Sequence, residues 1–399
     1  MADETEKGLA RGLTNYGDKD FSLYLRRSFA KAMGFTSESL EKPIVGIADT
    51  ASSYNNCHRN VPEQIEAVKR GVLAAGGLPM VFPTVSLAET FLHPTSMLYR
   101  NLMSMDTEEM ISAQPMDAAV VVGGCDKTVP AQLMGAISAN RPAVQLITGP
   151  MMTARHEGER LGACTDCRRF WAMYRAGELN DQQIVAVESR LATTAGTCPV
   201  MGTASTMACI AETLGMALPG TAAIPAVHAD RLRAAEESGK RAVEIARSGL
   251  TPDKVVTEKS VENALRVLLA IGGSTNGIIH LTAIAGRAGV NVSLDRLNEI
   301  SDETPVLVNL KPSGDHYMED FFAGGGLGAV LREIKHLLHL DTLSITGETL
   351  GDRLNEDPGF IDPDIVRPFA EPHYPLGGLV SLFGTLAPNG AILKRAAAD

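Results

Sequence analysis

The chain has 399 residues, and 36 Lys and Arg against 47 Asp and Glu give it a formal charge of −11. That balance excludes a general nucleic-acid binder, which needs a basic face to displace counterions from phosphates. Apolar residues make up 45% of the chain, enough to bury a core spread over two or three domains or subdomains. No apolar run reaches the roughly 18–20 residues of a membrane span. The opening Met1-Ala-Asp-Glu-Thr-Glu-Lys7 lacks the basic-then-apolar order of a signal peptide, so the reading is cytoplasmic. Six cysteines, at 57, 125, 164, 167, 198 and 209, are too scattered for a disulfide framework.

A polar arm leads into an amphipathic helix, Phe21 to Met33. A theme then repeats: a short apolar strand, a loop rich in Gly, Asn, Ser or Thr, and a helix. Strands are expected at 43–48, 78–82, 116–122 and 143–147, with helices at 61–75 and 131–139. Continuous apolar strands alternating with helices predict an α/β fold, a parallel sheet covered on both faces. Helices follow at 178–190 and 236–248, a Gly-Gly-Ser-Thr-Asn loop at 272–276 opens another, and Leu327 to Leu338 is a further one. Pro305 to Asn309 reads as a strand, and Gly377 to Lys394 as a hairpin-like strand pair. The domain reading is an arm and helix at 1–40, an α/β domain at 41–375, and at 376–399 the start of a truncated C-terminal β domain. Met97, Met103, Met105 and Met110 read as helix core, and so does Cys209.

In a parallel α/β sheet, ligands gather where strands end and loops enter helices. Four such loops carry reactive side chains: 49–60 with Cys57 and His58, 86–90 with Glu89, 123–130 with Cys125, Asp126 and Lys127, and 195–207 with Cys198. In Gly123-Gly-Cys-Asp-Lys127 a thiol, a carboxylate and an amine sit at the mouth of a buried strand. Alone, that run also reads as a tight turn with Asp126 as a helix cap. Cysteines on three separate loops of this kind shift the balance toward one shared site. Widely spaced thiolates fit an iron–sulfur cluster better than zinc, whose structural sites use two close pairs. The single Cys164-Thr-Asp-Cys167 lacks a second CxxC, and a thiol or zinc enzyme built on it is a rival reading.

These residues resemble the dihydroxy-acid dehydratase and 6-phosphogluconate dehydratase family, and within it the sugar-acid (aldonate) dehydratases. The resemblance spans essentially the whole chain. It rests on Gly123-Gly-Cys-Asp-Lys-Thr-Val-Pro130, Cys198-Pro-Val-Met-Gly-Thr-Ala-Ser-Thr-Met207 and Gly272-Gly-Ser-Thr-Asn276, with 94–105 and 384–391 adding to it. It implies that Cys57, Cys125 and Cys198 ligate a [2Fe-2S] cluster. It further implies that Glu89 and Asp126 bind Mg²⁺, and that Lys127 is a catalytic, carbamylated lysine which also binds Mg²⁺. A carbamate oxygen suits a hard cation where an ammonium would be repelled.

The implied reaction is loss of water from a 2,3-dihydroxy sugar acid to give a 2-keto-3-deoxy acid. The alternatives are dihydroxy-acid dehydratase of branched-chain amino-acid synthesis and a non-catalytic cluster-binding fragment. His58 and Asn276 are candidate substrate contacts, each against a simple loop-bracing or capping role. The resemblance also implies a C-terminal β-barrel-like domain that supplies a further magnesium ligand and the general base. The chain is expected to lack that domain and to be impaired without it. A homodimer or homotetramer acting on a small molecule, with no nucleic-acid or membrane partner, completes the expectation.

Overall fold

The computed structural model describes residues 7–13 and 15–397; the first six residues of the expected arm, with the signal-peptide reading, lie outside them, as do Thr14 and the last two residues. Four short, largely apolar runs form the central sheet: β1 (Ile44–Asp49), β2 (Leu78–Pro83), β3 (Ala118–Gly123) and β4 (Ala143–Ile147). They are parallel in the order β2-β1-β3-β4, with Ile47 level with Val81 on one side and Val120 on the other. Every residue of β3 is buried, and each such Val contributes about 1.5–3 kcal/mol through its removal from water. The expected α/β architecture is the observed one.

Helices alternate with these strands. An outlying α1 (Lys19–Ala32) starts where Asp18 accepts from the Phe21 N–H. Between strands run α2 (Val61–Ala74), α3 (Arg100–Ala113) and α4 (Thr128–Ala139). The last begins three residues before the expected Ala131, because Pro130 is tolerated in a first turn whose N–H groups have no helical partner. After β4 come a small hairpin, β5 (Ala154–His156) with β6 (Glu159–Leu161), and the pair α5 (Asp166–Arg175) and α6 (Asp181–Leu191). The rest of the helical layer is α7 (Thr203–Thr213), α8 (Ala229–Ser248), α9 (Pro252–Val255), α10 (Glu258–Ala270), α11 (Thr275–Arg287) and α12 (Leu294–Glu303). Then follow α13 (Met318–Ala323), α14 (Gly326–Glu333), α15 (Leu350–Leu354) and an antiparallel hairpin, β7 (Leu379–Gly384) with β8 (Ala387–Lys394).

The period-two alternation of the strands sorts their side chains onto two faces. Val45, Ile47, Val120 and Val144 pack with Val68 of α2 and Val243 of α8. Ala48 and Val121 face the other way, toward Leu133 of α4, Ile210 of α7 and Leu268 of α10. Arg231 of α8 is fully buried, and its guanidinium donates to the carbonyls of Ile147, Thr221 and Ile224, fixing the exit of β4.

Three expectations need correction. Residues 305–309 make no strand: Val306 and Val308 each form a single bridge, to Tyr374 and Val366, because their partners arrive one at a time from a loop. The helix expected to run to Leu338 stops at Glu333 and continues as a short 3-10 turn. Of the four methionines read as core, only Met103 is buried, and Met105 is half exposed on the outer face of α3. Cys209 is fully buried as expected, and burial raises its thiol pKa.

Candidate metal centre

The carboxyl edge of the sheet collects the reactive loops because β1, β2 and β3 run parallel and end together. Behind β1, Asn55 accepts from the Cys57 N–H and starts a 3-10 turn, Asn56–His58. His58 then points into the protein and is fully buried. Its Nδ1 lies 3.0 Å from the Thr50 carbonyl, and its Nε2 accepts from the backbone N–H groups of Gly124 and Cys125 at 3.1 and 3.3 Å. Nδ1 therefore carries the proton and the ring is neutral. Burial lowers its pKa to about 4. With both nitrogens committed, His58 has no atom left for a substrate. It joins the loop after β1 to the loop after β3.

That junction puts two thiols in contact. The Cys57 and Cys125 side chains share a hydrogen bond; it pushes the Cys57 thiol well above its ordinary pKa, with burial adding to the rise, and lowers that of Cys125. Gly124 permits the approach. A Cβ there would collide with the Thr148 hydroxyl and crowd the Thr197 methyl, and Thr148 itself donates to the Cys57 carbonyl.

Beside the thiols lies a charged group. Lys127 is buried, with its Nζ 3.0 Å from Glu89 Oε2 and 3.7 Å from Asp126 Oδ2. Glu89 also accepts from Ser96 and from Thr95, two residues the sequence reading passed over. Burial raises the Glu89 pKa, but the bonds from Ser96 and Lys127 outweigh it and the net shift is downward. Asp126 goes up, through burial first and the like charge of Glu89 after it, with Lys127 opposing. Two carboxylates thus converge on one positive charge.

Cys198 arrives by another route. Thr197 donates to Gly149 and accepts from Met151, so its segment runs beside the exit of β4. The Gly196 N–H donates to the Asn56 carbonyl, bringing the Cys198 loop against the Cys57 loop. The Cys198 sulfur, however, is disulfide-bonded to Cys164, not turned to Cys57 and Cys125. The CxxC therefore does not act as a unit: Cys164 partners Cys198, and Cys167 is free in the first turn of α5. Among the described residues no three His, Cys, Asp or Glu side chains stand together as a ready-made metal-binding group. Lys127 occupies the point between the carboxylates, and Cys198 faces Cys164.

Asn276 ties two helices together. Its side-chain amide donates to Thr203 Oγ1, and its N–H donates to the Ser274 hydroxyl, tying α11 to α7. His280, one turn on, is the less obvious neighbour. It is fully buried, its Nδ1 lies 3.1 Å from an Arg100 nitrogen, and its Nε2 has no partner. Burial, then the charges of Arg100 and Lys127, lower its pKa to about 3.

The donor types fit the two expected groups. Thiolates suit iron, and carboxylate oxygens suit a hard divalent cation, whose charge can replace that of Lys127 at the same point. An α/β domain carrying such donors at one strand edge, and matched along its length by dehydratases, is of the hydro-lyase class. The chain belongs to the dihydroxy-acid/6-phosphogluconate dehydratase family, whose N-terminal part it matches over residues 42–353. It is 42% identical over 387 residues to an L-arabinonate dehydratase of Rhizobium leguminosarum bv. trifolii, covering 96% of this chain and 67% of that protein. An L-arabonate dehydratase of Azospirillum brasilense is 44% identical over 388 residues, covering 96% of this chain and 66% of the relative. A dihydroxy-acid dehydratase of Acetivibrio thermocellus is 38% identical over 378 residues, 93% of this chain and 68% of the relative. The chain spans about two thirds of the length of these relatives.

Proposed function

We propose that this chain carries the cluster- and magnesium-binding part of a hydro-lyase that converts a 2,3-dihydroxy sugar acid, a C5 or C6 aldonate, to a 2-keto-3-deoxy acid. The observation that carries the reading is the convergence of Glu89, Asp126 and Lys127 on one point beside the touching thiols of Cys57 and Cys125. Cys57, Cys125 and Cys198 would hold a [2Fe-2S] cluster, and Glu89, Asp126 and a carbamylated Lys127 would hold Mg²⁺. When bound, the two groups supply Lewis acidity, one toward the substrate carboxylate and C2 hydroxyl and the other toward the departing C3 hydroxyl. The protein's own part is preparation. Ser96 and Thr95 keep Glu89 ionised and aimed inward, His58 holds the Gly124–Cys125 turn from behind, and Gly124 lets the two cysteine loops close. Support for the aldonate over the branched-chain acid comes from the higher identity to the two arabinonate-type relatives.

The test is turnover by the reduced chain supplied with iron, sulfide and Mg²⁺. It is offered C5 and C6 aldonates beside 2,3-dihydroxyisovalerate, with the keto acid as readout. Aldonate turnover supports the proposal. Turnover of the branched acid alone assigns the chain to the other branch, and iron uptake with no turnover at all makes it a cluster-binding unit.

A further inference from the structure

Cys164 belongs to none of the roles proposed above, yet the structure places it against Cys198 with a scaffold that leaves little freedom. The carboxylate of Asp166, buried at the start of α5, accepts from the Gly162 N–H at 2.7 Å and from the Tyr317 hydroxyl at 3.3 Å, and Lys311 stands 3.7 Å away. Gly162 itself is pressed onto the Tyr317 ring and the Val200 side chain, where a Cβ would collide with the ring. The next residue, Met318, donates from its N–H to the Pro199 carbonyl. One short segment, Tyr317–Met318, thus grips the chain two residues before Cys164 and one residue after Cys198. The two α-carbons stand 6.5 Å apart, within the range a disulfide spans. Cys164 is exposed and Cys198 half-buried, so a small reagent reaches the pair from solvent.

From this geometry we infer that Cys164 and Cys198 form a reversible dithiol–disulfide site for low-molecular-weight disulfides of the glutathione type, and that closing it withdraws Cys198 from the cluster. The inference rests on the reading of Cys198 as a cluster ligand. The exchange balances without any further reagent. The Cys164 thiolate attacks one sulfur of the small disulfide, forming a mixed disulfide and releasing one small thiol. The Cys198 thiolate then attacks the Cys164 sulfur, forming the internal bond and releasing the second small thiol. The protein is oxidised by two electrons, the small disulfide is reduced by two, and the two protons lost by the cysteines end on the released thiols. Cys57 and Cys125 are not part of the exchange: their side chains pair with each other, and the Cys198 sulfur pairs with Cys164.

The experiment uses the full chain, reduced and metal-free, with and without oxidised glutathione. Non-reducing peptide mapping and free-thiol counting are read first; iron and sulfide uptake under nitrogen is read second. The proposal expects a Cys164–Cys198 peptide, iron uptake at least about tenfold lower after oxidation, and full recovery on reduction. In Cys164→Ser the oxidised chain is expected to carry at most a mixed disulfide that small thiols remove, with iron uptake by the reduced variant matching the parent. A Cys164–Cys167 peptide in place of Cys164–Cys198, or a Cys164–Cys198 bond that leaves iron uptake unchanged, overturns it. If the bond forms but even the reduced chain takes up no iron, the cluster reading is what fails, and the switch falls with it. Failure of the bond to form in a chain that does load iron overturns the switch alone.

Discussion

The loop after β3 and the loop around Cys198 both deliver a cysteine to the same edge of the sheet, but they are built differently. Cys125 is buried, its backbone N–H is held by His58 from 67 residues away, and its thiol already touches Cys57. Cys198 is half-buried on an otherwise buried segment that borrows its order from β4 and from Tyr317–Met318, and its thiol is turned to Cys164. The first arrangement is held by protein contacts alone, with His58 accepting from the Gly124 and Cys125 N–H groups and the two thiols bonded to each other. In the switch proposed above, the second has two states for one sulfur, paired with Cys164 or ligating the cluster. A centre assembled from both kinds of loop has a fixed half and a movable half.

Breaking the fixed half should have the largest effect. Cys125→Ser is expected to lower iron retention by roughly 100-fold or more, because a ligand is lost where second-shell changes alone cost 10–100-fold. Iron analysis after gel filtration checks it. His58→Ala strands the N–H groups of Gly124 and Cys125 and is expected to cost about 3 kcal/mol of stability in the metal-free chain, read by urea unfolding.

The same residue sets a pH dependence. The folded His58 has a pKa of about 4 against about 6.5 unfolded, so between those values the unfolded chain binds more protons. Stability is therefore full above about pH 6.5 and falls as pH drops toward 4, by up to about 3 kcal/mol from this group. The urea midpoint of His58→Gln should vary less over that range; an unchanged slope would remove His58 from the account. Ser96→Ala, which takes one support from Glu89, is expected to weaken Mg²⁺ binding about tenfold by calorimetry. The smallest effect is assigned to Cys209→Ala: Cys209 is wholly enclosed in α7, and iron content should not change.

Much of the fold was legible because the signals are local. The unbroken Val120–Val122 run can only be a buried strand, and its burial is complete. The loops bearing Cys57, Glu89, Cys125 and Lys127 were legible for the same reason, as polar residues placed directly behind such strands. What escaped depends on contacts between distant segments. Nothing near Ser96 in the sequence marks it as a partner of Glu89; only the fold brings its hydroxyl there. The His58 ring looked available for substrate because nothing nearby in sequence claims both of its nitrogens. The spacing of Cys164 and Cys167 suggested a local pair, whereas the partner of Cys164 lies 34 residues on, delivered by Asp166 and Tyr317.

The central claim is that the fixed and movable halves close on one iron–sulfur cluster. Iron and acid-labile sulfide per chain, measured after anaerobic reconstitution of the fully reduced protein, test it most directly. The account predicts about two of each per chain, lost together in Cys125→Ser and spared in Cys164→Ser. Zinc in place of iron, no metal at all, or a content that follows Cys164 and Cys167 and not Cys125 would contradict it.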